Sequence, residues 1–128
     1  MDKNSNSLNW FEIPALDLDR ATKFYETIFD IKMDPFPEMM GMKMKGFPAE
    51  MGNGKASGAL AQSSMHKPSS DGVIIYLNAN PNIQTVIDRI EKANGKILVP
   101  KTQITPEIGY MAFFADTEGN KVALHAQN

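Results

Sequence analysis

The feature that most constrains this chain is a repeat. Trp10 stands 64 positions before Ile74, and Ala59-Leu60-Ala61 stands 64 before Ala123-Leu124-His125. Between these points two helix-like segments recur at an offset of about 65. Elements that return in one order at one offset describe two copies of a supersecondary unit, each needing the other to bury its apolar face.

In the first copy, residues 9–13 alternate as a strand, with Trp10 and Glu12 on one face and Phe11 and Ile13 on the other. Asp17 is placed to cap a helix, its carboxylate accepting from unpaired first-turn amides. Leu18, Ala21, Tyr25, Ile28 and Phe29 supply the helix's apolar stripe at spacings of three and four. The run Met40-Gly41-Met42-Lys43-Met44-Lys45 alternates strictly and predicts a strand with one Met-rich face. That face suits either a lid over a pocket or packing on a core or partner subunit. Gly-Asn-Gly at 52–54 marks a turn, and residues 58–62 read as a further strand. The polar, proline-containing stretch 63–72 reads as a linker, with His66 a solvated loop residue.

The second copy begins with a strand at 73–78. Asn80-Pro81 predicts a helix start, with proline in the first helical position. Ile83, Val86, Ile87 and Ile90 form its stripe, and Asn94-Gly95 stops it. Strands are expected at 96–99, 109–115 and 120–125, the last two joined by Asp116-Thr117-Glu118-Gly119. Gly119 and Asn120 read as turn residues, required for backbone geometry. The expected fold class is α+β: one domain over residues 1–128, with βαβββ modules at about 8–62 and 73–126. Their sheets would form a cup-shaped mixed β-sheet with helices on the outer face and a shared cavity inside.

Composition narrows the function classes. A net charge of −2 gives no electrostatic reason to bind nucleic acid or an anionic membrane. No apolar run approaches the roughly 20 residues that span a bilayer. The polar opening lacks the apolar stretch of a signal peptide, so a cytoplasmic location is expected. With no cysteine, disulfides, thiolate catalysis and Cys-based zinc sites are excluded. There is no G-x-G-x-x-G after a strand, no G-K-[ST] phosphate loop and no G-x-S-x-G elbow.

The stretch NWFEIPALDLDRATKFYETIFD resembles the first strand and helix of the vicinal oxygen chelate superfamily, which includes glyoxalase I, bleomycin-resistance proteins and extradiol dioxygenases. GYMAFFADTEGNKVALHAQN is similar to that superfamily's closing hairpin, with DTEGN matching its D-P-D-G-N turn. The resemblance implies four inward His or Glu ligands for a divalent metal, one from the first and one from the last strand of each half. Carried over, those positions fall on Trp10, Ala59, Ile74 and Ala123. None of these offers a side-chain donor to a metal, so no metal and no cofactor are expected at the usual site.

Two residues further along each strand, the period of two gives a layer of Glu12, Ala61, Tyr76 and His125. His125 then faces the cavity with Glu12 across from it. Glu12 can serve as a general base, or pair with His125 or Lys101 to stabilise the cavity mouth. A displaced metal site at Glu12 and His125 would have only two protein ligands. Trp10 and Tyr76, with Phe113 or Phe114, can stack on a planar ligand or fill the cup themselves. Ile74 and Ala123 line the same pocket, and Lys101 can meet a ligand anion or remain solvated. The expected function is binding of a small, partly apolar molecule, with Glu12 and His125 as polar contacts. The alternatives are a glyoxalase-related lyase or isomerase in which Glu12 and His125 move a proton, and a subunit-interaction role without ligand. The resemblance also implies a homodimer.

Overall fold

Alternating apolar residues and capped amphipathic segments produce the same element order twice. The computed structural model describes residues 1–50 and 52–128. The first unit comprises β1 (Trp10–Pro14), α1 (Leu18–Phe29), β2 (Asp34–Pro35), β3 (Lys43–Gly46) and β4 (Ser57–Gln62). The second comprises β5 (Tyr76–Asn78), α2 (Ile83–Ile90), a 3₁₀ turn at Glu91–Ala93, β6 (Lys96–Thr105), β7 (Gly109–Ala115) and β8 (Lys121–Ala126). Each unit forms a four-stranded mixed sheet, in the orders β1-β4-β3-β2 and β5-β8-β7-β6. The fold is thus α+β, two βαβββ modules.

The repeat is written into the hydrogen-bond registers. In the parallel pair β1/β4, Glu12 faces Ala59 and Ile13 faces Leu60. In the parallel pair β5/β8, Tyr76 faces Ala123 and Leu77 faces Leu124. Each residue of the second set follows its counterpart at the offset of 64 seen in the sequence.

Both helices begin at side-chain caps. Asp17 accepts from the Arg20 amide at 3.0 Å, and Asn82 accepts from the Gln84 amide at 2.9 Å. The second helix therefore starts after Pro81, because the Asn82 carboxamide satisfies the first-turn donor. Leu18, Ala21, Phe24, Tyr25 and Ile28 of α1 are buried, as are Ile83, Val86, Ile87 and Ile90 of α2. They join Ile13, Leu60, Leu77, Phe114 and Leu124 in one apolar cluster drawn from both halves. Phe24 lies against Tyr25 with ring centroids 4.9 Å apart, and against Phe114 at 5.9 Å.

Three expected strands differ. Met40 and Gly41 both take positive φ, forming a turn closed by Met39 and Met42, so the strand starts only at Lys43. Glycine at 41 makes that turn accessible and ends the alternation there. Met42 and Met44 still share one face, packed on Ala59 and Ala61. The strand expected at 73–78 is reduced to Tyr76–Asn78. By contrast β6 runs through Pro100 to Thr105, with register shifts on either side of the proline. It is an edge strand, where a missing ladder donor is tolerated.

The β7–β8 turn reaches across to the first module. The Glu118 carboxylate, fully buried, accepts from the Leu16 and Asp17 amides at 2.8 Å each. It also accepts from Arg20 Nε at 2.8 Å and a second guanidinium nitrogen at 3.1 Å. Asn120 Nδ2 donates to the Pro14 carbonyl at 2.7 Å and to Asp116 at 2.9 Å. Asp116 further accepts from the buried Tyr25 hydroxyl at 2.8 Å and from the amides of Glu118 and Asn120. Burial and the Asp116 charge push the Tyr25 phenol well above its ordinary range, so it remains a donor. Asn120 therefore does more than shape a turn. Among the described residues no buried side-chain nitrogen or oxygen lacks a partner.

Burial alone would raise the Glu118 pKa, but the Arg20 bond, the Asp17 amide and the Thr117 hydroxyl together hold it below the ordinary carboxylate range. A depressed folded pKa stabilises the fold above the ordinary carboxylate pKa, and that contribution is lost as pH falls through the lowered value. Glu118→Ala should cost about 2–4 kcal/mol in urea unfolding, because it strands two amides and a guanidinium. The gap between wild type and Glu118→Gln should narrow as pH falls below the ordinary carboxylate pKa and through the lowered folded value. A loss under about 1 kcal/mol, or a gap independent of pH, would rule out the carboxylate's role as the clasp.

Candidate functional site

In β1 the alternation sends Phe11 and Ile13 into the core and Glu12 to the opposite face. Glu12 is one-third exposed, and both of its oxygens are occupied. Oε1 meets His66 Nε2 at 2.8 Å, and Oε2 accepts from Trp10 Nε1 at 3.2 Å. The His66 side chain is 12% exposed, and its Nδ1 lies 2.6 Å from Ser63 Oγ. The His66 bond is the largest influence on Glu12 and lowers its pKa below the ordinary range, outweighing the opposing effect of burial, with Trp10 adding to the lowering.

Local geometry explains how a residue of the polar stretch arrives here. Ser63 follows β4 directly, its carbonyl accepts from the His66 amide at 3.2 Å, and its Oγ accepts from the Met65 amide at 3.1 Å. This tight turn folds the chain back. Because β4 lies beside β1 in parallel register, the returning imidazole reaches Glu12. His66 is thus not a solvated loop residue. The sequence signal was Ser-x-x-His at a strand exit, with a carboxylate on the adjoining strand.

Two cavities adjoin this group. A groove of about 400 Å³ runs along β1 between the modules. Its walls include Phe11, Ile13, Val73, Ile75 and Val122, with Glu12 in the lining and Lys67, Asp71 and Lys121 among its polar groups. A second cavity of about 310 Å³ is bordered by Ala15, Leu16, Gly41, Lys43, Ser63 and His66.

The other expected site residues lie apart from this group. His125 Nε2 donates to the Ile108 carbonyl at 2.7 Å, tying down the loop between β6 and β7. The strand registers place Glu12 level with Ala59, and His125 level with Asn78 rather than with Tyr76. Glu12 and His125 therefore do not share a layer, and the partner of Glu12 is His66. Tyr76 is half-exposed on β5, edge-on to Phe113 at 6.0 Å, and its register partner Ala123 is fully buried. Ile74 is half-buried just before β5. Lys101 lies inside β6, its ammonium 4.3 Å from the centre of the Tyr110 ring. Trp10 is 42% exposed and edge-on to Phe36.

No donor set for a metal converges at the positions carried over from the resemblance. Trp10, Ala59, Ile74 and Ala123 present an indole and three hydrocarbon side chains. Among the described residues no group of three or more His, Asp or Glu side chains could hold a metal ion. Nor, among them, is any helix long and apolar enough to cross a membrane.

Comparison with known proteins places these features in context. The family profile of the Glyoxalase/Bleomycin resistance protein/Dioxygenase superfamily matches residues 7–124. A glyoxylase-like domain-containing protein from Didymella fabae is 29% identical over 119 residues, covering 91% of each chain. Among solved structures, a glyoxylase/bleomycin resistance protein/dioxygenase domain from Frankia sp. EAN1pec superposes with a TM-score of 0.72 at 14% identity, over 96% of this chain and 98% of that one. A glyoxalase I mutant from Zea mays gives 0.67 at 16% identity, over 93% of this chain and 45% of that one.

Since His66 is the main cause of the lowered Glu12 pKa, His66→Ala should raise it. Carboxyl-carbon NMR titration would read the shift, and an unchanged midpoint would exclude the pairing in solution.

Proposed function

Because the chain belongs to the Glyoxalase/Bleomycin resistance protein/Dioxygenase superfamily, we propose that it binds a small, partly apolar molecule in the groove between its two modules, with no metal at the usual positions. The observation that carries this reading is the groove itself. Its volume of about 400 Å³ falls in the range of small-molecule sites, and it joins an apolar wall to charged groups at Glu12, Lys67, Asp71 and Lys121. The hydrocarbon part of a ligand would lie against Phe11, Ile13, Ile75 and Val122. Its polar end would meet Glu12 or the lysines at 67 and 121.

A second reading is favoured by the Glu12–His66 bond. Glu12 is ionised and so free to accept a proton, and the imidazole beside it can pass that proton on. The lowered pKa makes the carboxylate a weaker base than an unpaired one. Lyase or isomerase chemistry would then run through Glu12 and His66, the place earlier expected for His125.

Trp10 hydrogen-bonds Glu12 and so reports on the groove. A fragment library screened by its fluorescence should yield saturable ligands. Val73→Phe, at an exposed position on the groove wall, should weaken them by at least about tenfold. Ligands that bind the variant equally well would place the site elsewhere. For the proton-transfer reading, deuterium uptake next to the carbonyl of small ketones and aldehydes should be followed by NMR. Glu12→Gln should slow it by about 100-fold or more, and equal exchange in both proteins would remove that reading.

A further inference from the structure

We infer that Ser63, His66 and Glu12 form a nucleophile–base–carboxylate relay, giving this chain an acyl-transfer site for small activated esters that opens into the second cavity and shares only Glu12 with the groove. The chain of contacts is continuous: Ser63 Oγ to Nδ1 at 2.6 Å, then Nε2 to Glu12 Oε1 at 2.8 Å. Proton placement follows from chemistry. Glu12, held ionised, can only accept, so Nε2 carries a proton, and in the neutral ring Nδ1 is left to accept from the Ser63 hydroxyl. Trp10 fixes the second Glu12 oxygen, and the Met65 amide fixes Ser63 Oγ. The order from the cavity inward is that of a relay. Ser63 and His66 border the cavity of about 310 Å³, whereas Glu12 is absent from its lining and stands behind the imidazole. Lys43 borders the same cavity and offers positive charge for an oxyanion.

In the proposed step the Ser63 oxygen bonds to the ester carbonyl carbon while its proton passes to His66 Nδ1, and the carbonyl electron pair moves onto oxygen. Collapse breaks the bond to the leaving alkoxide, which takes the proton from His66. Water then cleaves the acyl-serine by the same route, so ester and water give acid and alcohol. The roles are those of a serine triad with the two imidazole nitrogens exchanged. This inference needs no ligand in the groove.

The test is covalent capture. Purified protein is treated with diisopropyl fluorophosphate, in which the Ser63 oxygen bonds to phosphorus and fluoride leaves with the proton. One adduct per chain, mapped to Ser63 by peptide mass, is expected. Ser63→Ala should lose it, and His66→Gln should label about 100-fold more slowly or less. Glu12→Gln, which keeps the Ser63–His66 contact, should slow labelling in a protein of unchanged circular dichroism. An unlabelled wild type, an adduct on another residue, or equal rates in wild type and folded His66→Gln would overturn the relay. Any of these results would leave Ser63 as a turn-closing hydroxyl and the groove proposal intact.

Discussion

The Glu118 carboxylate, buried under the first turn of α1, is the contact on which the arrangement of the two modules depends. A fully buried charge is tolerated only when its lone pairs are all engaged. Here two amides and the Arg20 guanidinium engage them, and all three belong to the first module. Asn120 adds a bond to the Pro14 carbonyl at the end of β1. The turn of one repeat is thereby built into the helix start of the other. Misplacing either module would leave two amides unpaired and a buried carboxylate without its donors. That cost sets the position of β1 relative to β8, and with it the width of the groove between them.

The two modules use the same frame for different purposes. Level with one another stand Glu12 and Ala59 in the first sheet, Tyr76 and Ala123 in the second. In the second sheet this level is occupied by an aromatic pair, Tyr76 edge-on to Phe113. In the first, a carboxylate remains, and small alanines beside it leave room for the Met42 and Met44 side chains. Burial of Glu12 on one side and water on the other would leave its charge poorly balanced. The imidazole delivered by the turn after β4 supplies the compensating donor.

His66 and His125 illustrate how hydrogen-bond supply decides the role of a residue. His125 lies on a regular strand, yet its Nε2 is held by the Ile108 carbonyl, which also accepts from Gln127. His66 lies in a stretch with no periodic pattern, yet a serine-closed turn aims it at a carboxylate. Strand alternation predicts which face a side chain takes. It does not predict which acceptor competes for it.

Local physics read from the sequence alone determined the module repeat, the cap at Asp17 and most of the apolar stripe of each helix. Each of these depends on neighbours within a few residues, or on an offset that any reader can count. Tertiary structure alone decided the rest. The expected layer of Glu12 with His125 failed because parallel register sets Glu12 against Ala59, a pairing fixed by how two distant strands meet. The strand through Pro100 survives because its missing donor falls on a sheet edge. The Glu12–His66 contact spans 54 positions, and Glu118 reaches residues about a hundred positions earlier. Such contacts form only once packing has brought separate segments together, so no local pattern in the chain announces them.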